Sequence, residues 1–292
     1  MKIGLVAIGT LGDVLPLVWL GERYAAEGHE VCVFASEAFE RLVREAKLDF
    51  ASLGAARDYY LACEQPLFDG DDGWRYVREG LIEPQSKQLQ RYALSDYHLV
   101  ASPHLEVPVA TTVYVQPYAA LAFPPDERSI ALFPDWFAFD LAFEQYLGFP
   151  DAECGSALPD SLLEGLDRPV CVTFGTGNSH AGDLIAEACE ALHDIEHDAI
   201  VVTRYADRLP ELPARCRVVE QVPLRTLLRG CSAIIHHGGI GTIAAAHSAR
   251  CKQFIVPLAH DQHDNAERAA LTMGATILQR GQIGNQLVEA LA

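Results

Sequence analysis

Residues 231–268 read CSAIIHHGGIGTIAAAHSARCKQFIVPLAHDQHDNAER. The apolar run Ala233–His236 predicts a buried strand that feeds the turn His237-Gly238-Gly239-Ile240-Gly241-Thr242. Small residues then predict a helix, Gln253–Pro257 a second strand, and His260-Asp261-Gln262-His263-Asp264-Asn265 a loop dense in hydrogen-bonding groups. Three glycines allow a tight turn and close approach of backbone to a ligand. Helix N–H groups just beyond them, with the positive end of the helix dipole, suit a diphosphate. A carboxylate beside a carboxamide suits the vicinal hydroxyls of a sugar. Diphosphate next to sugar points to a nucleotide sugar.

Working outward, the same strand–turn–helix unit recurs. Lys2–Ala7 reads as a buried strand, Gly9–Asp13 as its turn, and Leu15–Ala26 as a helix ended by Gly28. Glu30–Ala35 is a second strand, Ala38–Ala46 a helix, Pro66–Gly73 a loop, and Trp74–Ala93 a helix disturbed at Pro84. His98–Ala101 and Thr111–Val115 are further strands. Residues 134–168 carry prolines and glycines with little periodicity. They read as a linker with one helix near Phe139–Tyr146. Beyond it, Pro169–Phe174, Ala199–Thr203, Arg217–Val219, Ala233–His236, Gln253–Pro257 and Ala275–Leu278 are strand candidates, with a helix around Asp183–His193. Alternating strands and helices predict parallel, doubly wound sheets. The expected division is an N-terminal unit 1–133, a linker 134–168 and a second unit 169–292.

Composition narrows the function classes. A net charge of −18 opposes binding to nucleic acid or to anionic lipid surfaces. The eight cysteines form no CxxC pair, so free thiols in a reducing cytoplasm are expected. The start MKIGLVAIGTLGD reads as a buried first strand rather than a signal peptide, and no run approaches a membrane span of ~20 apolar residues.

Four motifs in order, IGTLGDVLP (8–16), LFPDWFA (132–138), HGGIGT (237–242) and AHDQHDNAER (259–268), resemble the family 1 glycosyltransferases. The nearest likeness is to the rhamnosyltransferase of rhamnolipid synthesis and bacterial UDP-glycosyltransferase-like proteins. The resemblance spans nearly the whole sequence. It implies the GT-B architecture, two Rossmann-like domains with parallel sheets facing across a cleft. It also implies an inverting, metal-independent transfer of sugar from a UDP- or TDP-sugar to a hydroxyl of a small apolar or lipid-like acceptor. No cofactor is expected beyond the nucleotide sugar as co-substrate. The sequence is shorter than usual for the group. Only residues 118–131 separate Gln116-Pro117 from Leu132-Phe133, where the family carries a helical insert that helps roof the acceptor site. A non-catalytic nucleotide-sugar-binding protein or partner subunit is therefore the alternative.

Spacing alone favours a helix cap for Asp13. The resemblance makes it the base that takes the acceptor proton. It makes His237, Gly238, Gly239, Gly241, Thr242, Gly175 and Thr176 the diphosphate site. His236 is expected to be a satisfied buried histidine. Asp261 and Gln262 are the expected sugar contacts. Gln221 and Val222 fall where relatives hold the nucleobase. Gln221 replaces the family's stacking Trp, and Ala245 its ribose-binding Glu, which leaves uridine and thymidine both open. Asp69-Gly70-Asp71-Asp72 resembles a DxD metal motif but reads better as an acidic turn. Tyr59, Tyr60, Trp74 and Tyr76 are candidates for an apolar acceptor surface, each weighed against ordinary packing.

Overall fold

The computed structural model describes residues 1–102, 111–150 and 157–291. Two compact units form, Met1–Ala152 and Glu153–Ala292. Cys154 and part of the expected linker lie outside the described residues.

The first unit runs β1 (Lys2–Val6), α1 (Leu11–Ala26), β2 (Glu30–Ala35), α2 (Glu40–Glu45), β3 (Asp49–Ser52), α3 (Ala56–Cys63), α4 (Gly70–Val77), α5 (Glu83–Leu89), β4 (Leu99–Ser102), β5 (Thr111–Tyr114), α6 (Ala119–Ala122), β6 (Ile130–Ala131) and β7 (Gln145–Tyr146). The strands form one parallel sheet in the order β3-β2-β1-β4-β5-β6-β7. The turn over Gly9–Asp13 is shorter than expected, because α1 begins at Leu11 with Thr10 as its N-cap. Asp13 then falls in the first helical turn, where an acid favours the positive helix end. The disturbance expected at Pro84 is a π-helical turn, Arg78–Ile82, directly before Pro84 in the first turn of α5.

Two expectations fail here. The loop Pro66–Gly73 gives way to α4 from Gly70, capped by Asp69. The helix expected near Phe139–Tyr146 is absent. Gln145–Tyr146 instead pairs with β6 and extends the first sheet. Phe139, Phe143 and Tyr146 have helical spacing, yet Phe143 and Tyr146 pack on Phe133 and each other as edge-on aromatic pairs.

The second unit runs β8 (Val170–Thr173), α7 (Gly182–Asp194), β9 (Ala199–Val202), β10 (Cys216–Val219), α8 (Leu224–Leu228), β11 (Ala233–His236), α9 (Ile240–Ala249), β12 (Lys252–Ile255), α10 (Gln262–Met273), β13 (Thr276–Ile277) and α11 (Ile283–Leu291). Its parallel sheet has the order β10-β9-β8-β11-β12-β13. That is the doubly wound order, with its reversal between β8 and β11.

Alternate side chains divide this sheet's core. Val170, Val172, Ala199, Val201, Ala233, Ile235 and Phe254 join one layer with α7 and α11. Cys171, Ile200 and Ile234 join the other with α8 and α9. Burial on both faces explains why these strands read as continuous apolar runs. In register, His236 lies level with Thr173 on one side and Ile255 on the other. Three loops therefore leave the same edge of the sheet side by side.

Phe254 is fully buried among these residues. Phe254→Ala should lower the unfolding free energy of the second unit by about 3–5 kcal/mol, as truncation of a buried aromatic does. Urea denaturation followed by circular dichroism measures it.

Candidate functional site

The loops after β8, β11 and β12 meet at the reversal point of the second sheet. The ring of His237 occupies the centre. A Cβ on Gly175 would lie 3.0 Å from its Cε1, and one on Gly239 would lie 2.7 Å from its Nε2. These glycines make room for the imidazole. Gly238 has φ +92°, and a Cβ there would lie 3.1 Å from the Gln262 carbonyl oxygen and 3.0 Å from Ile255. Gly241 differs, since nothing lies within 4 Å of its Cβ position. Of the three glycines in this turn, Gly241 is the one whose open side leaves space for a ligand.

His236 is the satisfied buried histidine expected. Its Nδ1 accepts from Gly238 N at 3.1 Å, so its hydrogen sits on Nε2, which donates to Gln253 Oε1 at 3.2 Å. Burial, with the neighbouring His237 adding to it, pushes its pKa down to about 3. Burial alone holds His237 down at about 4. Both rings are neutral near pH 7. His237 therefore offers a ligand a hydrogen bond rather than a charge.

The helix begins two residues before Thr242, and this alters the donor assignments. Gly239 is the N-cap of α9, and its carbonyl accepts from Thr242 N and Ile243 N, each at 3.0 Å. The Gly238 N–H is taken by His236. The Gly238 and Thr242 amides are thus used within the fold. The Ile240 and Gly241 amides open the helix and have no partner among the described residues. Thr242 retains its hydroxyl.

The loop expected after β12 is partly helical, because Asp261 caps α10 and Gln262 opens it. Gln262 is 2% exposed, and its Oε1 accepts from Leu258 N at 2.8 Å and Ala259 N at 3.1 Å. It clamps its own loop, so its oxygen is not directed at a sugar. Asp261 is half-buried and accepts at Oδ2 from Asn265 Nδ2 at 2.6 Å. The same nitrogen donates to the Gly238 carbonyl at 3.1 Å. Asp264 pairs instead with buried Arg268 at 2.6 Å. The sequence reads Asn265 first as a helix-start residue, with a donor-site role as the weaker reading. Its spacing of four from Asp261 is the available signal.

Other expected residues stand apart. Gln221 is exposed after the edge strand β10, and Val222 is buried in the core with α8. Thr176 is half-exposed in the loop that holds Gly175. Tyr59 is buried against Phe39, while Tyr60 and Trp74 are exposed. Asp72 lies on α4 next to Arg75, and the Asp71 side chain is outside the described residues. Among the described residues, no three His, Cys, Asp or Glu side chains are grouped to hold a metal ion.

In the first unit, Asp13 Oδ2 accepts from Thr10 N at 2.7 Å and Thr10 Oγ1 at 3.1 Å. Its Oδ1 lies 3.4 Å from Gln116 Nε2, just beyond β5. Gly9 has φ +129°, and any Cβ there would collide with this carboxylate. The cap reading is thus realised in modified form, as the third helical residue of a capping box rather than the N-cap itself.

Residues 186–291 match the family described as "Erythromycin biosynthesis protein CIII-like, C-terminal domain". The elloramycin glycosyltransferase ElmGT of Streptomyces olivaceus is 37% identical over 129 residues, 41% of this chain and 34% of that protein. The 10-deoxymethynolide desosaminyltransferase of Streptomyces venezuelae is 40% identical over 99 residues, 31% of this chain and 23% of that protein. The matched stretch thus spans about a third or less of these relatives. The spinosyn rhamnosyltransferase SpnG superimposes over 100% of this chain and 90% of its own, with TM-score 0.70 and 17% identity. The glycosyltransferase SsfS6 of Streptomyces sp. SF2575, solved with thymidine diphosphate, does so over 99% and 90%, with TM-score 0.67 and 20% identity. These findings point to the erythromycin-type proteins and do not single out the rhamnolipid branch.

The neutral histidine pair makes stability depend on pH. Both folded values lie below the ordinary 6.5, so the unfolded chain binds more protons between about 4 and 6.5. Stability from this source is complete above 6.5 and falls as the pH drops, by up to about 1.4 kcal/mol per pH unit per imidazole. Urea denaturation between pH 7.5 and 4.5 should show a shallower acid loss in His236→Gln than in the wild type.

The fold, in both of its units, is that of the GT-B glycosyltransferases.

Proposed function

We propose that the protein is a nucleotide-sugar-dependent glycosyltransferase that moves a sugar from a TDP- or UDP-sugar to a hydroxyl of a small, largely apolar acceptor. The observation that carries this is the convergence of His237, the α9 N-terminus and Asp261 at the reversal point of the second sheet. Two open amides, a neutral imidazole and a carboxylate are the groups a diphosphate and a sugar require. The relatives support a TDP donor. One is named a TDP-daunosamine transferase, and SsfS6 was solved with thymidine diphosphate. Names such as 10-deoxymethynolide desosaminyltransferase and erythronolide mycarosyltransferase support a polyketide-like acceptor. A lipid-like hydroxy acid, as in the rhamnolipid branch, is the finer reading they favour less.

In the proposed reaction, Asp13 takes the acceptor proton as the hydroxyl oxygen attacks the anomeric carbon. The bond to the nucleoside diphosphate breaks, and a single displacement inverts the configuration. Charge on the leaving diphosphate is met by His237, the Ile240 and Gly241 amides and the α9 dipole. With these groups present, the transfer needs no metal or further cofactor. The seven described cysteines are all free, which supports a reducing, cytoplasmic setting. Among the described residues, no helix is long and apolar enough to cross a membrane.

His237→Ala should weaken binding of TDP or UDP by about 1–3 kcal/mol, the scale of a hydrogen bond to a charged group, with the fold retained. Calorimetry tests this, and equal affinity in variant and wild type removes the assignment. Asp13→Asn keeps the capping geometry but removes basicity. Turnover should fall roughly 100-fold or more while donor affinity holds. Mass spectrometry of acceptor mixtures reads the transfer. Near wild-type turnover in this variant refutes the base role. A wild type that binds donor tightly but transfers to no acceptor would instead be a binding protein.

A further inference from the structure

We propose that Asn265 is a positioning residue that sets the Asp261 carboxylate in place against the diphosphate loop; this rests on the donor-site reading above. Asn265 is 0% exposed, so it acts through its neighbours rather than on a ligand. Its amide nitrogen carries two hydrogens. One goes to the Gly238 carbonyl at 3.1 Å, in the loop after β11, and the other to Asp261 Oδ2 at 2.6 Å, in the loop after β12. Both partners are pure acceptors. Turning the amide over would set its oxygen against two oxygens, so its orientation is fixed. One planar group thus ties the phosphate arm of the site to its sugar arm.

The two acids of this loop have different surroundings. Asp264 is paired with the buried Arg268 guanidinium at 2.6 Å, which compensates its charge. Asp261 accepts from the Asn265 amide, and that bond orients the carboxylate.

The two arms should also respond differently to loss of Asn265. Gly238 keeps its second tie, the amide hydrogen bond to His236 Nδ1. Its carbonyl loses a partner, but the loop remains anchored. Asp261 loses the contact that spans the two loops. Sugar recognition should therefore suffer far more than diphosphate recognition.

The test is calorimetry with TDP and TDP-glucose, and with UDP and UDP-glucose. It compares the wild type, Asn265→Ala, Asn265→Ser, Asp261→Ala and the double variant Asp261→Ala/Asn265→Ala. Asn265→Ser leaves a single hydroxyl hydrogen that cannot serve both partners and adds no buried charge, which keeps the test valid if the alanine variant fails to fold. Thermal unfolding checks each variant. The expected result is a loss of about 10-fold or more in nucleotide-sugar affinity, the scale of one hydrogen bond to a charged group, with the bare diphosphate changed less than about 3-fold. In the Asp261→Ala background, Asn265→Ala should add less than about 2-fold, because the two residues act as one. Equal losses for sugar-bearing and bare ligands, or additive effects in the double variant, overturn the role of Asn265 alone. A wild type that binds neither diphosphate overturns the donor-site reading, and this inference with it.

Discussion

Gly238 is held at both its N–H and its carbonyl, and the geometry of the site depends on that. Its N–H donates to His236 Nδ1, whose Nε2 donates to Gln253 on the neighbouring strand. Its carbonyl accepts from Asn265, which also holds Asp261. A line of four hydrogen bonds runs from β12, through the turn after β11, to the start of α10. Every member near its centre is buried, where an unmade hydrogen bond is costly and a made one is rigid. The left-handed conformation of Gly238 is what lets one residue face both partners.

This network also governs charge. With His236 Nδ1 engaged as an acceptor, a proton there would sever the bond to Gly238, and burial opposes the charge as well. His237 is kept neutral by burial and is wedged between Gly175 and Gly239. With both imidazoles neutral, the first turn of α9 supplies positive character at the site. A local amide field of this kind favours an anion even where a net charge of −18 disfavours one.

The sheet supplies the frame. Thr173, His236 and Ile255 lie level, so the loops that follow them leave at one height, beside the reversal of strand order. The first unit repeats this order around β1 and β4, with Asp13 just past β1. There the same strand-to-helix junction is finished with a capping box instead of an imidazole. One architecture thus yields a carboxylate at one junction and a glycine-flanked imidazole at the other.

Much of this is legible in the sequence, for identifiable reasons. Strands buried on both faces, such as Val170–Thr173 and Ala233–His236, stand out as unbroken apolar runs. Glycines and prolines mark most of the turns. Elements with weak patterns escape such a reading. β3 is half-exposed and lacks such a run, β6 and β7 are two residues long, and α8 spans barely one turn. The aromatic spacing at Phe139–Tyr146 suits a helix, yet Phe143 and Tyr146 pack on Phe133 and on each other beside the β6–β7 pair. The sequence by itself determined two doubly wound units and the residue types gathered at each junction, because periodicity and turn chemistry are local. Only the tertiary structure decided which atoms remain for a ligand. Gly238 N–H, Thr242 N–H and Gln262 Oε1 all look available in the sequence and are consumed inside the fold, whereas Asn265 proves to be the connector. A hydrogen-bonding group serves only the partners that packing brings to it, and those partners come from loops far apart in the chain.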